Sequence, residues 1–497
     1  MLKKILYPSA IYFTGAILSA VLGFFFKSYV VKNLEFSFLG IYSLGMSIVS
    51  IIVVFTTLGY GDGLIFFIPK YLSKKNYSRL HKYLQTTFLV NVITITIFSV
   101  IILSYPNFIL NQLFRAEELE PYLFYFILLL IINSFVSIFI QIINGFQKIH
   151  KSVFIEKFIS NPFRILLCVV LINMNFDFYG FLIAEILASF LAFILLAKNV
   201  INQFKTINIP HLYTKSILNT SSVEKSYSNS MLFKNIFNQL TVHLGIIIFA
   251  IYADLEQLGI YALIISITSF IPLFLISVNT VFRPIISQLY AQGKITEINK
   301  YFKIISRYTF IFSLPLIVCL FLSKGIILNY FRINNYAAEI VFILFIFSEF
   351  IKCAKGPVYI CLQMMGHDKE IRNIGLLNLC AKTTLFFILI PKYGLIGIGI
   401  AEIFSVTFSI IISSIILYNK RSIHIFHKKY LTHIVISIVA FILINIIMIN
   451  FNDIDSIYKI TWMNFIVVIF TVLPNLLLID REEMKAIKSI FISKETM

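Results

Sequence analysis

The amino-acid sequence predicts an all-α integral membrane protein of about fourteen transmembrane helices, in two six-helix lobes related by a parallel pseudo-two-fold repeat, plus a C-terminal helix pair. Three observations predict it. Apolar stretches of bilayer length recur from end to end, lysines and arginines alternate sides between them, and motifs of the first half return in the second.

The chain of 497 residues is 59% hydrophobic and only 13% charged, with a mean hydropathy of +0.91. Soluble domains carry about 25% charged residues, so this much apolar surface has no soluble core to enter. Stretches such as 93–105, extended by its flanks, and 434–451 are long enough to cross roughly 30 Å of hydrocarbon as helices. The absence of a period of two argues against a barrel. Residues 1–7 hold two lysines, and the run after Pro8 lacks a small-residue cleavage site, so it reads as the first span and not as a removable signal. In order, the spans fall at 9–31, 38–68, 82–104, 119–145, 153–173, 178–200, 230–252, 258–282, 305–323, 337–364, 371–390, 394–418, 430–450 and 459–479. The five cysteines, Cys168, Cys319, Cys353, Cys361 and Cys380, lie in apolar runs with no CxxC pair and read as small buried hydrophobes, without metal site or disulfide framework. No cofactor is expected.

The basic residues orient these spans. One side carries Lys3 and Lys4, then Lys70 to Lys82, Lys148 to Lys157, Lys198 to Lys234, Lys294 to Arg307, Lys369 and Arg372, Lys420 to Lys429, and Arg481 to Lys494. The other side holds only Lys32, Arg115, Lys324, Arg332, Lys392 and Lys459. By the positive-inside rule both termini are cytoplasmic in a multi-pass protein of the cell (cytoplasmic or inner) membrane. The net charge of +18 thus faces anionic lipid from short loops, which excludes nucleic acid as the partner. Trp462 and the tyrosines near span ends read as interface anchors.

The segment Leu39-Gly40-Ile41-Tyr42-Ser43-Leu44 returns as Leu258-Gly259-Ile260-Tyr261-Ala262-Leu263. Tyr71 matches Tyr290, Lys82-Tyr83 matches Lys300-Tyr301, Gly145 and Lys148 match Gly366 and Lys369, and Ile183-Ala184-Glu185-Ile186 matches Ile400-Ala401-Glu402-Ile403. An even number of helices per repeat makes both copies run the same way through the bilayer, and substrate is then expected between the lobes near the midplane. The organisation so read is an N-lobe at 1–205, a cytoplasmic linker at 206–229 rich in Ser, Thr and Asn, a C-lobe at 230–420, and a final helix pair with tail at 421–497.

Several motifs carry a resemblance: Gly40-Ile41-Tyr42-Ser43-Leu44, Gly259-Ile260-Tyr261, Asn279-Thr280-Val281-Phe282 through Leu289-Tyr290-Ala291-Gln292-Gly293-Lys294, Gly366-His367-Asp368-Lys369 with Asn373, and Ile390-Pro391-Lys392-Tyr393-Gly394-Leu395-Ile396-Gly397. In order and spacing the chain resembles the polysaccharide-synthesis flippases of the multidrug/oligosaccharidyl-lipid/polysaccharide (MOP) exporter superfamily. That resemblance implies a two-lobe fold of fourteen helices that moves polyprenyl-pyrophosphate-linked oligosaccharide across the membrane for polysaccharide export. Membrane lipids and polysaccharide polymerase machinery are the implied partners. The chain departs from its relatives at Gly245-Ile246, where an Asp-Arg pair is common and His243 is here the nearest ionisable group, and at Lys382, where a neutral amide is common.

Charges inside the spans single out the candidate site, because each costs roughly 2.5–3.5 kcal/mol on insertion scales and needs a partner or a hydrated cavity. Lys352 lies about 20 Å of helical rise along its span, with Lys355 one turn deeper and Gly356-Pro357 following at once. Lys352, Lys355, Arg164 near Pro162, and Lys27 are the candidate substrate-binding residues, cations for a pyrophosphate. The bland alternatives are a Lys352–Glu349 pair one turn apart and snorkelling by the others, Lys27 above all. Lys382 and Glu402 stand at similar depths on adjacent helices and are expected to pair, whereas Glu185, set against Asn161 in the repeat, is expected to lack a fixed cation. Glu185, Glu402 and Lys382 are therefore the candidates for ion coupling. Asp62 and Arg283 superpose within two positions in the repeat and are the candidate cytoplasmic gate. His243 reads more readily as packing, and Asn279 as a residue of the portal.

Two rivals are weighed against this reading. A membrane glycosyltransferase or polymerase needs a substantial outer loop, but the longest, near 105–118, holds only Arg115, Glu117 and Glu118, and the chain has no Walker loop. It is therefore expected not to be an enzyme. A cation-coupled multidrug or small-molecule antiporter of the same superfamily favours an acidic cavity, whereas six intramembrane bases here face four acids.

Overall fold

The computed structural model describes residues 2–107, 117–206 and 221–423, with isolated positions beyond. Every regular element among them is a helix. In chain order these are α1 (Leu2–Asn33), α2 (Phe36–Thr57), α3 (Tyr60–Ser73), α4 (Tyr77–Ser104), α5 (Leu123–Gly145), α6 (Ile149–Val153), α7 (Asn161–Asn173) and α8 (Asp177–Thr206). After the linker come α9 (Ser222–Tyr252), α10 (Leu255–Thr268), α11 (Leu273–Ala291), α12 (Ile295–Leu322), α13 (Lys324–Tyr330), α14 (Tyr336–Lys355), α15 (Val358–Met364), α16 (Asp368–Tyr393) and α17 (Leu395–Arg421). Among the described residues, eight helices are long and apolar enough to cross a membrane, and Leu255–Thr268 with Leu273–Asn279 makes a further pair bent by 55°. The protein is a multi-pass membrane protein. The span expected at 430–450 is described only at 430, 432–437, 439 and 442, that at 459–479 only at 467 and 471, and most of the expected linker lies outside the described residues.

Besides 258–282, which the bent pair divides into α10 and α11, three expected spans are broken, each for a local reason. Span 38–68 divides into α2 and α3 because Leu58 and Gly59 both take left-handed backbone, at φ 44° and 75°. A side chain on Gly59 would also run into the Ser228 carbonyl, so only glycine lets α9 pass this close. Span 337–364 divides into α14 and α15 at Gly356-Pro357, with Gly356 at φ 68°. Span 153–173 widens into a π-helical stretch, Phe154–Ser160, just before Pro162, which has no N–H to donate.

The chain forms two compact units, Ile11–Leu263, and Met1–Ala10 with Ile264–Met497. In the first, α3, α4, α5 and α8 enclose a core of Leu64, Phe67, Ile68, Tyr83, Ile138 and Ile142. In the second, α11, α12, α15 and α17 bury Phe282, Ile286, Phe302, Ile311, Leu362 and Leu417. On α4, Ile93, Ile97, Val100 and Ile101 remain exposed at helical spacing, and on α17 so do Phe404, Ile411, Ile415 and Tyr418. In water such stripes would aggregate; in a bilayer they are the lipid face.

The repeated Leu-Gly-Ile-Tyr segments meet one another. A Cβ on Gly40 would strike the Leu255 carbonyl, and one on Gly259 would strike the Phe36 carbonyl, each also 3.2 Å from the other glycine's N. The contact is reciprocal, and small residues are what allow membrane helices to pack backbone to backbone.

Polar side chains also tie the first unit together. Thr56 hydrogen-bonds Ser134, Ser134 donates to Asn91 Oδ1 at 2.8 Å, and Thr94 donates to the Thr56 carbonyl at 2.6 Å, joining α2, α4 and α5. At the start of α9, Ser221 and Glu224 form a capping box. Buried Glu224 also takes two hydrogen bonds from Arg79, at 3.0 and 2.6 Å, and one from Tyr71.

Candidate functional site

In the unit Ile11–Leu263, Arg164 stands two residues beyond Pro162, where the π-helical stretch gives way to α7. Its Nη1 donates to both oxygens of Glu185 on α8, at 3.3 and 3.2 Å. The Phe26 ring lies 5.2 Å from the guanidinium carbon, and Lys27 and Tyr42 border the same charges. Glu185 is 8% exposed, while the Arg164 side chain remains 22% exposed. This corrects the expectation that Glu185 lacks a fixed cation. The residue that faces it is one turn beyond Asn161, the position matched to Lys382 in the repeat.

In the other unit the same helix pair of the repeat carries the same device. Lys382 on α16 meets Glu402 on α17 at 2.7 Å. The partners lie 21 residues apart in the first pair and 20 in the second. The second copy adds another pair. Lys352, at the end of α14, donates to Glu349 at 2.7 Å and lies 3.7 Å from Glu402. Two bases and two acids therefore share one cluster, with Glu349 Oε2 buried and unpartnered among the described residues. Lys355, one turn on, donates to the Ile410 carbonyl at 3.1 Å instead of to a carboxylate.

Asp62 begins α3, beyond the break at Leu58-Gly59. Asn235 of α9 donates to it, and Asp62, Gln141, Asn235, Asn238 and Gln239 line a cavity of about 200 Å³. Arg283, its expected gate partner, belongs to the other unit and is exposed. His243 lies 3.1 Å from the Ser47 hydroxyl, which ties α9 to α2. The side chains of the cavity other than Asp62, and the Glu224 clasp, were not among the sequence-derived candidates. The available signal was spacing: Asn235, Asn238 and Gln239 stand at i, i+3 and i+4, on one face of α9. Among the helices long enough to cross a membrane, α9 is also the least apolar.

Helices apolar on their outer faces, with acid–base pairs held inside the spans and broken helices beside them, define a multi-pass α-helical membrane protein with charged groups kept within its spans. Residues 2–290, more than half of the chain, match the model of the polysaccharide biosynthesis protein family, and the chain belongs to that family. Residues 231–374 also match the MatE family. Among solved structures, the lipid II flippase MurJ in an inward closed conformation aligns over 97% of this chain and 100% of its own, at 14% identity and a TM-score of 0.74. A multidrug resistance MATE transporter of the MOP superfamily, inward-facing, aligns over 83% of this chain and 94% of its own, at 13% identity and a TM-score of 0.61. A mutant of the Vibrio cholerae MATE transporter VcmN aligns over 84% and 97%, at 13% identity and a TM-score of 0.59. At such identities the likeness is one of fold. No curated protein matches the chain significantly.

Proposed function

We propose that the protein is a flippase that moves lipid-pyrophosphate-linked oligosaccharide across the cytoplasmic membrane by alternating access, for polysaccharide export. The observation that carries the reading is that Arg164 and Lys352, inside spans of a chain of this family, are held by carboxylates yet keep 22% and 33% of their side chains exposed. Arg164 gives Nη1 to Glu185 and keeps part of its side chain exposed, which leaves the guanidinium open to a pyrophosphate. Lys27 adds a cation beside Arg164 in the one unit, and Lys355, which donates to a carbonyl, adds one a turn from Lys352 in the other. Because Glu349 and Glu402 already neutralise Lys352 and Lys382, an anion arriving at Lys352 releases a carboxylate. That carboxylate then takes up a proton, which gives Glu402 and Lys382, and by the repeat Glu185, their role in coupling. Both termini face the cytoplasm. The fold neighbour named as a lipid II flippase supports a lipid-linked substrate.

Purified protein in proteoliposomes tests this. It should move undecaprenyl-pyrophosphate disaccharide between leaflets, with Arg164→Ala and Lys352→Ala slowing transfer at least tenfold. No transfer by the wild type would end the proposal. The MatE match at 231–374 favours a second reading, a cation-coupled multidrug antiporter. Competition separates the two: a cationic dye that displaces the lipid-linked sugar, or is itself transported, would favour the antiporter.

A further inference from the structure

The cavity beside Asp62 shares no lining residue with the acid–base clusters, and its chemistry differs from theirs. Its lining holds one carboxylate, Asp62, and four carboxamides, Gln141, Asn235, Asn238 and Gln239, with the Ser137 hydroxyl and Thr57, whose own hydroxyl donates to the Val54 carbonyl. Val53 and Val54 of α2 supply an apolar wall. The amides come from two helices, α5 and α9, and the carboxylate from the first turn of α3, placed there by the left-handed break at Leu58-Gly59. Gln141 Oε1 is buried and has no hydrogen-bond partner among the described residues. Unpaired polar groups inside a membrane protein are costly, so an acceptor left open beside a cavity implies a ligand with hydroxyl or amide protons to give.

From these groups we infer that the cavity is a sugar subsite, which binds the hydroxyls and amides of the glycan of a lipid-linked oligosaccharide. The inference rests on the flippase reading and adds to it a site for the sugar, separate from the pyrophosphate. Size and donor balance both favour sugar over a metal ion. A hard cation would draw the carboxylate and the amide oxygens to itself, whereas here the Asn235 NH₂ donates to Asp62 and occupies the carboxylate. About 200 Å³ also corresponds to six or seven waters at roughly 30 Å³ each, far more than one dehydrated ion fills. Sugar hydroxyls donate and accept at once, which matches a lining of amides, a hydroxyl and one carboxylate, and the valines offer a surface to the C–H face of a ring. Asn238 is exposed and marks the side on which the cavity opens.

The test uses the full chain in proteoliposomes with two probes, undecaprenyl-pyrophosphate disaccharide and sugar-free undecaprenyl pyrophosphate. The variants are Gln141→Leu and Asn238→Leu, which leave the charged groups intact. Because Asn238 is exposed, its variant carries the test if Gln141→Leu fails to fold. Each lost hydrogen bond should slow the disaccharide lipid about three- to tenfold while the sugar-free lipid moves at the wild-type rate. Equal slowing of both probes, no slowing of either, or a wild-type sodium dependence that the variants abolish would each overturn the sugar subsite. A wild type that moves neither lipid would overturn the flippase reading, and the subsite with it.

Discussion

Removing the carboxylate of Glu402 should destabilise the protein more than removing any exposed acid, and the size of the effect follows from the geometry. Glu402 and Lys382 are 12% and 8% exposed at their side chains and 2.7 Å apart. Breaking such a pair leaves a buried ammonium without its counter-charge, which costs about 3–5 kcal/mol. Glu402→Gln keeps an oxygen that still accepts a hydrogen bond, and Lys352 retains Glu349, so the lower end, about 3 kcal/mol, is expected. For a unit of this size each kcal/mol shifts a melting midpoint by about 2–4 °C, giving a fall of roughly 6–12 °C. Fluorescence-detected thermal unfolding in detergent measures it. Glu297→Gln serves as the control, since its pair with Lys294 is 46% and 50% exposed at 3.6 Å and such pairs contribute about 0–1 kcal/mol. The double variant Lys382→Met with Glu402→Gln should recover most of the loss, because no buried charge then remains unpaired. If Glu402→Gln and Glu297→Gln melt within about 2 °C of each other, the pair is not desolvated in the membrane protein and the reasoning fails.

Glu349→Gln should cost less than Glu402→Gln, since one of its oxygens has no partner and Lys352 keeps Glu402 nearby; the same melts rank them. Glu224→Gln removes the charge that accepts from Arg79 and Tyr71, and should lower stability by about 1.5–3 kcal/mol, with faster amide exchange at the start of α9. Gly40→Ala and Gly259→Ala each drive a methyl into a backbone carbonyl and should destabilise alike, by about 1–3 kcal/mol. Markedly unequal melts would show that the contact is not reciprocal.

The membrane class and the course of most helices were legible because hydrocarbon imposes a length on apolar stretches, and that length shows in simple composition. The Lys382–Glu402 pairing was legible too, since adjacent helices and similar depth leave few alternatives for two buried charges. Arg164 was matched poorly because the repeat was read one turn early, at Asn161, and an error of one turn moves a partner by about 5 Å. The break at Gly356-Pro357 was legible, since that pair interrupts a helix wherever it falls, but the break at Leu58-Gly59 was harder to foresee. Leu58 takes left-handed backbone without being glycine, and only the packing of α9 against Gly59 explains why the chain bends there. The cavity around Asp62 stayed hidden because its side chains come from separate helices, α3, α5 and α9, and only Asp62 carries a charge that attracts notice.

The reciprocal Gly40–Gly259 contact bears on the origin of the chain. A contact in which each residue meets the equivalent neighbour of the other is what a two-fold homodimer makes with itself. Before duplication and fusion, a half-length ancestor carrying one such glycine would have needed a single mutation to alter both sides of its interface. In a single chain each side can carry its own residue, as Ser43 and Ala262 do beside the matched glycines.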